Sequence, residues 1–267
     1  MKIVIYLMPM VLFLLIIPGS ILAENAGDTT SSPAAATTAA PADKLSQAEA
    51  LLEDEGLENC KKALDICLQE VKNYPDDYRA NWMAAKACRK YGNEVKKSEA
   101  SDWKESCKQY GKQGMAYAEK AIELDPGKPD GHYWYAMNVG IYTDAVSILT
   151  ALKEGLKGKT QTSLESAYKM NRNYDKAGVI AALGRFWQVL PWIAGQNKEK
   201  SKEYYREFQK SKYTRIPGAA EFNVYFAELL MENNETKEEA RTLLMDVPKL
   251  TKGKYWNKKA KTLLSDM

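Results

Sequence analysis

The sequence predicts an all-α protein built as a solenoid of helical hairpins. From residue 44 onward, segments of about 9 to 24 residues carry apolar side chains at three- and four-residue spacing, and none shows a convincing strand pattern. Turn signals at Pro75, Pro126, Tyr174 and Pro217 lie 51, 48 and 43 residues apart. Two helices fit between successive turns, and a period of this kind is typical of helical repeat arrays.

The residues before the repeats divide into a leader and a low-complexity segment. Lys2 precedes an apolar run over residues 3–17, and Ala23 follows as a small residue at the expected cleavage position. This layout predicts a signal peptide over residues 1–23 and a periplasmic or secreted protein. An uncleaved leader that tethers the protein to a membrane remains an alternative. Residues 24–43 lack large apolar side chains, so we predict a disordered tether.

Residues 44–267 are expected to form one repeat domain that ends in a capping helix. In residues 57–73 the apolar stripe recurs at three and four, and Tyr74-Pro75-Asp76-Asp77 then ends one helix and caps the next. The other predicted helices cover approximately residues 78–91, 101–124, 130–141, 162–170, 177–190, 198–210, 219–231, 237–246 and 254–265.

The four cysteines, Cys60, Cys67, Cys88 and Cys107, fall in one short window. In an exported protein an even, clustered set suggests disulfides. Cys60 and Cys67 lie two helical turns apart, about 10 Å, which is too far for them to bond each other. A bridge from Cys88 to Cys60 and one from Cys88 to Cys107 therefore both remain open.

Several positions resemble the tetratricopeptide repeat, or TPR, pattern. Ala121 lies five residues before Pro126, and Gly114 takes the other small position of the second helix in that hairpin. Ala63 stands before Pro75 as Gly114 stands before Pro126, and Trp82 suits the aromatic start of the next helix. The spacing exceeds the usual repeat of about 34 residues, so we expect divergent repeats with long connections.

A narrower resemblance covers most of residues 45–247. The segments GHYWYA at 131–136, GRFW at 184–187, PWIAG at 191–195 and the Ala227-Glu228 helix resemble the TatT family. This family comprises the T components of tripartite TRAP-type periplasmic transporters and is similar in repeat form to the microtubule-dynamics regulators of eukaryotes. The resemblance implies a protein that docks a periplasmic solute-binding protein and passes a hydrophobic small molecule through an internal channel. A general protein–protein interaction scaffold of the cell envelope is the alternative, and homo-oligomerisation stays open.

Catalytic patterns are missing from the sequence. It contains neither G-x-S-x-G nor H-E-x-x-H, and His132 is its single histidine. Next to three aromatic residues at a helix start, His132 is expected to pack and cap. We therefore predict no enzyme activity, no catalytic residue, no metal and no cofactor, and the net charge of +3 indicates no nucleic-acid partner.

Large aromatic side chains fall on or just after the first helices of the predicted hairpins. In a solenoid these helices line the concave wall, where rings anchor a partner or an apolar ligand. We predict a ligand-binding set of Trp134, Tyr135, Trp187 and Trp192, with Arg185 orienting an anionic head group. The competing interpretation is that the rings fill the core between helices and that Arg185 is a surface charge.

Overall fold

The computed structural model describes residues 41–54 and 56–267, with side chains from residue 44 onward. The predicted signal peptide, residues 1–23, lies outside the described residues, as does most of the predicted tether, residues 24–43. The first helix begins at Pro41, within the last three residues assigned to the tether.

The described chain consists of α-helices joined by short turns, and no strand occurs among its described residues. The all-α prediction is therefore confirmed. The helices are α1 Pro41–Glu53, α2 Leu57–Asn73, α3 Tyr78–Lys97, α4 Trp103–Leu124, α5 Pro129–Val146, α6 Ile148–Lys153, α7 Leu156–Met170, α8 Tyr174–Val189, α9 Lys198–Gln209, α10 Ala219–Leu230, α11 Lys237–Leu250 and α12 Lys254–Ser265. Two short 3-10 helices cover Trp192–Ala194 and Asn234–Thr236.

The helices form two layers, as the hairpin solenoid requires. Helices α1, α3, α5, α8, α10 and α12 each contact the next helix of this first layer. The second layer consists of α2, α4, α7, α9 and α11. Each packs against one first-layer helix: α2 against α1, α4 against α3, α7 against α5, α9 against α8 and α11 against α10. Helix α6 is an extra turn between α5 and α7. None of the described helices has the length and apolar character needed to cross a membrane.

All ten predicted helices are present, and the sequence reasoning missed α1 and α6. Helix α6 has six residues, too few for an apolar stripe to repeat. Local capping determines where this helix begins instead. Ser147 adopts a positive φ of 115°, and its hydroxyl accepts a hydrogen bond from the Thr150 backbone N–H.

Small residues allow α4 and α5 to approach closely. A Cβ added at Gly114 would lie 2.1 Å from Oδ1 of Asn138, and one added at Gly111 would lie 2.8 Å from Cβ of Tyr142. Ala121, also on α4, is fully buried. Gly114, a small position expected from the repeat pattern, therefore faces the helix of the next hairpin.

The expected disulfides do not form. Cys60, Cys67, Cys88 and Cys107 are all free thiols and all buried. Burial raises the pKa of Cys88, and Cys67 rather than Cys60 or Cys107 is the thiol that contributes to this shift. The Cys107 thiol donates to the carbonyl of Gly92 at 3.3 Å. The cysteines act as small core side chains, and clustering in the sequence reflects their shared burial.

Ion pairs link helices that are distant in the array. Lys258 of α12 donates to Glu99, in the turn between α3 and α4, at 2.8 Å. Lys176 at the start of α8 donates to Glu53 of α1 at 2.7 Å. The array therefore curls so that its last helix reaches the turn that follows α3.

Candidate functional site

A cavity of about 340 Å³ lies between the first-layer helices and α6–α7. We call it the main cavity. Its wall comes from α3, α5, α6, α7, α8 and α10, so residues that are far apart in the sequence meet there. Ligand sites in proteins have volumes of about 300–1,000 Å³, and the main cavity falls at the lower end of that range.

Most of the main cavity wall is apolar, and its width comes from small residues. Ala136 and Gly140 of α5, Ala151 of α6 and Ala182 of α8 all border it. At these positions a larger side chain would extend into the space. Around them the wall is built from aliphatic and aromatic side chains, including Val139, Leu152, Leu164, Phe186 and Phe222. This surface can hold an alkyl chain by burial alone.

Five charged residues also border the main cavity: Arg89, Asp144, Lys157, Arg185 and Glu221. Asp144 accepts a hydrogen bond from Lys96. Within the described residues, Lys157 forms no ion pair. The acidic and basic groups border a wall that is otherwise mostly apolar, an arrangement that suits a ligand with one polar end.

Arg185 is held by its protein neighbours. Its Nη1 donates to Glu228 and to Gln188, each at 3.1 Å, and its guanidinium stacks over the Tyr225 ring at 3.8 Å. Lys259 also pairs with Glu228, at 2.8 Å. The Arg185 charge is thus already compensated by a carboxylate.

Arg89 of α3 has a different environment. It is 9 % exposed, and its Nη2 lies 3.7 Å from Oε1 of Glu221, beyond hydrogen-bond distance. Its Nε and Nη1 have no acceptor among the described residues. The Arg89 guanidinium therefore lacks the hydrogen bonds that a buried charge usually makes.

A second cavity, of about 210 Å³, lies on the other side of Arg89. Arg89, Met137, Glu221 and Phe222 border both cavities, so they form the partition between them. The second cavity also borders α1, the start of α8 and the turn before α10, and its lining is more polar. Arg89 and Glu221 thus stand where the two spaces meet.

The predicted ligand-binding residues are dispersed in the structure. Of the five, Arg185 borders the main cavity and Trp134 borders the second. Trp134 is buried and donates from Nε1 to the Tyr174 hydroxyl at 3.2 Å. Tyr135 is buried with the Lys159 ammonium 4.9 Å from its ring centre, and burial raises its pKa to about 12.

The two remaining tryptophans differ in exposure. Trp187 is 9 % exposed, packs edge-on against Phe186 of the main cavity, and has the Lys200 ammonium 4.1 Å from its ring centre. Trp192 is 82 % exposed, and its neighbour Ile193 is 67 % exposed. Both lie in the turn after α8, where a Cβ on Gly195 would lie 3.7 Å from Nζ of Lys157. This turn therefore lies beside the cavity wall.

Sequence reasoning missed Arg89, Glu221 and Phe222, which are central to the site. Two further aromatic residues, Phe186 and Tyr225, also border the main cavity. Arg89 sits among charged and polar residues in Arg89-Lys90-Tyr91, which resembles a solvated helix end. Arg89 follows the buried Ala85 by four residues, and this helical spacing was the signal that could have placed it inside.

No catalytic constellation surrounds these residues in the part of the chain that the structure describes. His132 lies with Nε2 3.1 Å from the Pro126 carbonyl oxygen, at the start of α5. The described residues contain no group of three or more His, Cys, Asp or Glu side chains arranged to hold a metal ion.

The two helical layers define a repeat protein of the TPR type. The crystal structure of a thermophilic TPR protein from Thermus thermophilus is similar, with a TM-score of 0.58 and 16 % identity over 84 % of this chain and 100 % of that chain. The family model described as Regulator of microtubule dynamics protein 1-3 matches residues 44–189. The chain therefore belongs to that family. No curated protein sequence matches it.

Proposed function

We propose that this protein is a non-catalytic binding scaffold that holds an apolar ligand in the main cavity. The observation that carries the proposal is a space of about 340 Å³ with a mostly apolar wall. TPR-like arrays serve as interaction scaffolds, and a hollow of this kind adds a site for a small molecule. Binding would rest on burial of ligand surface, at about 25 cal/mol per Å².

The finer proposal is a T component of a TRAP-type transporter, exported and working with a periplasmic solute-binding protein. The aromatic and glycine segments shared with the TatT family support it, as does the leader pattern of residues 1–23. The exposed pair Trp192 and Ile193, beside the cavity wall, is the surface we assign to the partner. A ligand could then pass between the two proteins close to the cavity.

The cavity proposal is tested with 1-decanol, an uncharged ten-carbon chain, by isothermal titration calorimetry. Gly140 is a helix residue of the cavity wall, and a Cβ there would meet nothing within 4 Å. Gly140→Trp therefore adds a large ring at the cavity wall without a backbone clash. Gly158→Trp is the matched control, because Gly158 is also helical with free space at its Cβ but does not border the cavity.

We expect the wild type and Gly158→Trp to bind 1-decanol alike, and Gly140→Trp to bind about tenfold or more weakly, the effect of losing about 1.4 kcal/mol of binding free energy. Equal binding by Gly140→Trp would place the ligand elsewhere, and no binding by the wild type would end the cavity proposal.

Export and partner docking have separate tests. N-terminal sequencing of the mature protein should begin at Glu24 if the leader is cleaved as proposed. Sedimentation with a solute-binding protein from the same organism should show a complex that Trp192→Ala weakens. If the complex is absent, the alternative of a general interaction scaffold in the cell envelope is favoured, since its partner would be a different protein.

A further inference from the structure

Arg89 is a buried cation whose hydrogen bonds are incomplete. It lies between the main cavity and the second cavity and borders both, so an anion that enters either space meets its guanidinium. Nε and Nη1 have no acceptor among the described residues, and the nearest carboxylate oxygen, Oε1 of Glu221, is 3.7 Å from Nη2. Burying a charged group without its hydrogen bonds is costly, and an acceptor supplied by a ligand would relieve that cost.

The charge of the main cavity wall also favours one added negative charge. Three cations border it, Arg89, Lys157 and Arg185, against two carboxylates, Asp144 and Glu221. The contacting charges outside the wall do not reverse this excess, because Lys96 contacts Asp144 and because Glu228, which contacts Arg185, also pairs with Lys259. The wall therefore carries an excess of one positive charge.

We propose that the ligand of this cavity is an alkyl-chain carboxylate, with its head group on Arg89 and its chain along the apolar wall. The proposal rests on the proposed function and names the ligand class for that same site. The two wall carboxylates, Asp144 and Glu221, disfavour a head group with several negative charges because each added charge is repelled by them. A carboxylate supplies one charge and two acceptor oxygens, the complement that Arg89 lacks.

The test compares decanoate with 1-decanol, which share a chain and differ in the head group. Calorimetry is run on the wild type, on Arg89→Met and on Arg185→Met, the last being the control arginine whose charge Glu228 already compensates. We expect the wild type to prefer decanoate by about tenfold or more, the scale of a hydrogen bond to a charged group. Arg89→Met should lose that preference and still bind 1-decanol, while Arg185→Met should keep it.

A second variant gives a change in the opposite direction. Glu221→Gln removes the carboxylate that faces Arg89, so decanoate should bind several-fold more tightly while 1-decanol binding stays the same. This variant keeps the proposal testable even if Arg89→Met unfolds the protein.

The outcomes separate the two proposals. If the wild type binds both probes equally, the cavity function stands and the carboxylate inference fails. If Arg89→Met keeps the preference, or only Arg185→Met loses it, the assignment to Arg89 is overturned. If neither probe binds to the wild type, the proposed function itself fails.

Discussion

Asn138 of α5 donates a hydrogen bond from Nδ2 to the carbonyl oxygen of Ala85 in α3, at 2.9 Å. The same amide nitrogen donates to the Trp134 carbonyl at 2.8 Å, and the Asn138 side chain is fully buried. One side chain thus connects two successive helices of the first layer. Its position beside Gly114 also fixes how closely α4 can approach.

We predict that Asn138→Ala lowers the free energy of unfolding by about 1–3 kcal/mol, because the two hydrogen bonds that the buried amide donates are lost. Chemical denaturation followed by circular dichroism measures the change. Asn93→Ala is the control on α3: the half-buried Asn93 side chain makes no hydrogen bond among the described residues, so the effect should stay within about 0.5 kcal/mol. Equal effects of the two changes would contradict the assigned role of Asn138.

We predict that Gly114→Ala destabilises the protein by about 1–3 kcal/mol, since its Cβ would overlap the Asn138 amide. At the exposed helix position Gly158 the same change should stabilise by about 0.5–1 kcal/mol, because alanine favours helix. In the Asn138→Ala background, Gly114→Ala should cost less than in the wild type, because the overlapping atoms are gone. Additive effects in this double-mutant cycle would contradict the proposed contact.

We predict that Trp187→Ala costs about 3–5 kcal/mol of unfolding free energy because it empties a core position. Trp192→Ala should change it by at most about 0.5 kcal/mol, because that ring is exposed. Iodide quenching of tryptophan fluorescence offers an independent check. Trp192→Phe should remove most of the quenchable signal, and an unaltered quenching curve would show that this ring is covered.

We predict that stability falls in alkaline solution partly through the buried thiols. Burial raises the pKa of Cys60 to about 11, of Cys107 to about 11 and of Cys67 to about 12. In the unfolded chain a thiol has a pKa of about 8.5, so above that pH the native state binds more protons than the unfolded state does. The thiol contribution is complete below about pH 8.5 and is lost as the pH rises towards about 11.

Denaturation midpoints measured at several pH values between about 8 and about 11 test this slope. Stability of the variant Cys60→Ala/Cys107→Ala should decline less steeply with pH than that of the wild type. The part of the decline that comes from the buried tyrosines should remain. The same variant near neutral pH provides the baseline for any packing change. A decline of identical slope in both proteins would contradict the thiol contribution.

Helix positions could be predicted because the apolar period and the turn residues are local in sequence. Gly114 was placed correctly at a helix contact for the same reason, and Ala121 is buried as a small repeat position should be. The cavity could not be predicted, because it depends on the absence of bulk where distant helices meet. No local pattern shows that Ala136 and Ala182 border one space, or that Arg89 approaches Glu221.

Residue type alone also does not predict whether an aromatic ring packs in the core or faces solvent. Trp187 and Trp192 are five positions apart and were predicted as one set, yet the first packs inside and the second faces solvent. The difference arises at Pro191, where α8 has ended and the chain turns into a short 3-10 helix. The disulfide expectation failed similarly, since four cysteines on packed helices can all be core residues.

The contact of Lys258 with Glu99 limits how this architecture can change in length. Simple repeat arrays grow or shrink by whole units because each unit meets only its neighbours. Here the final helix returns to the turn after α3, so a hairpin inserted between α3 and α12 would move Lys258 away from Glu99. The exposed pair itself contributes little energy. Relatives that keep this contact should therefore have the same number of hairpins between α3 and α12, with variation in length there confined to the connecting turns.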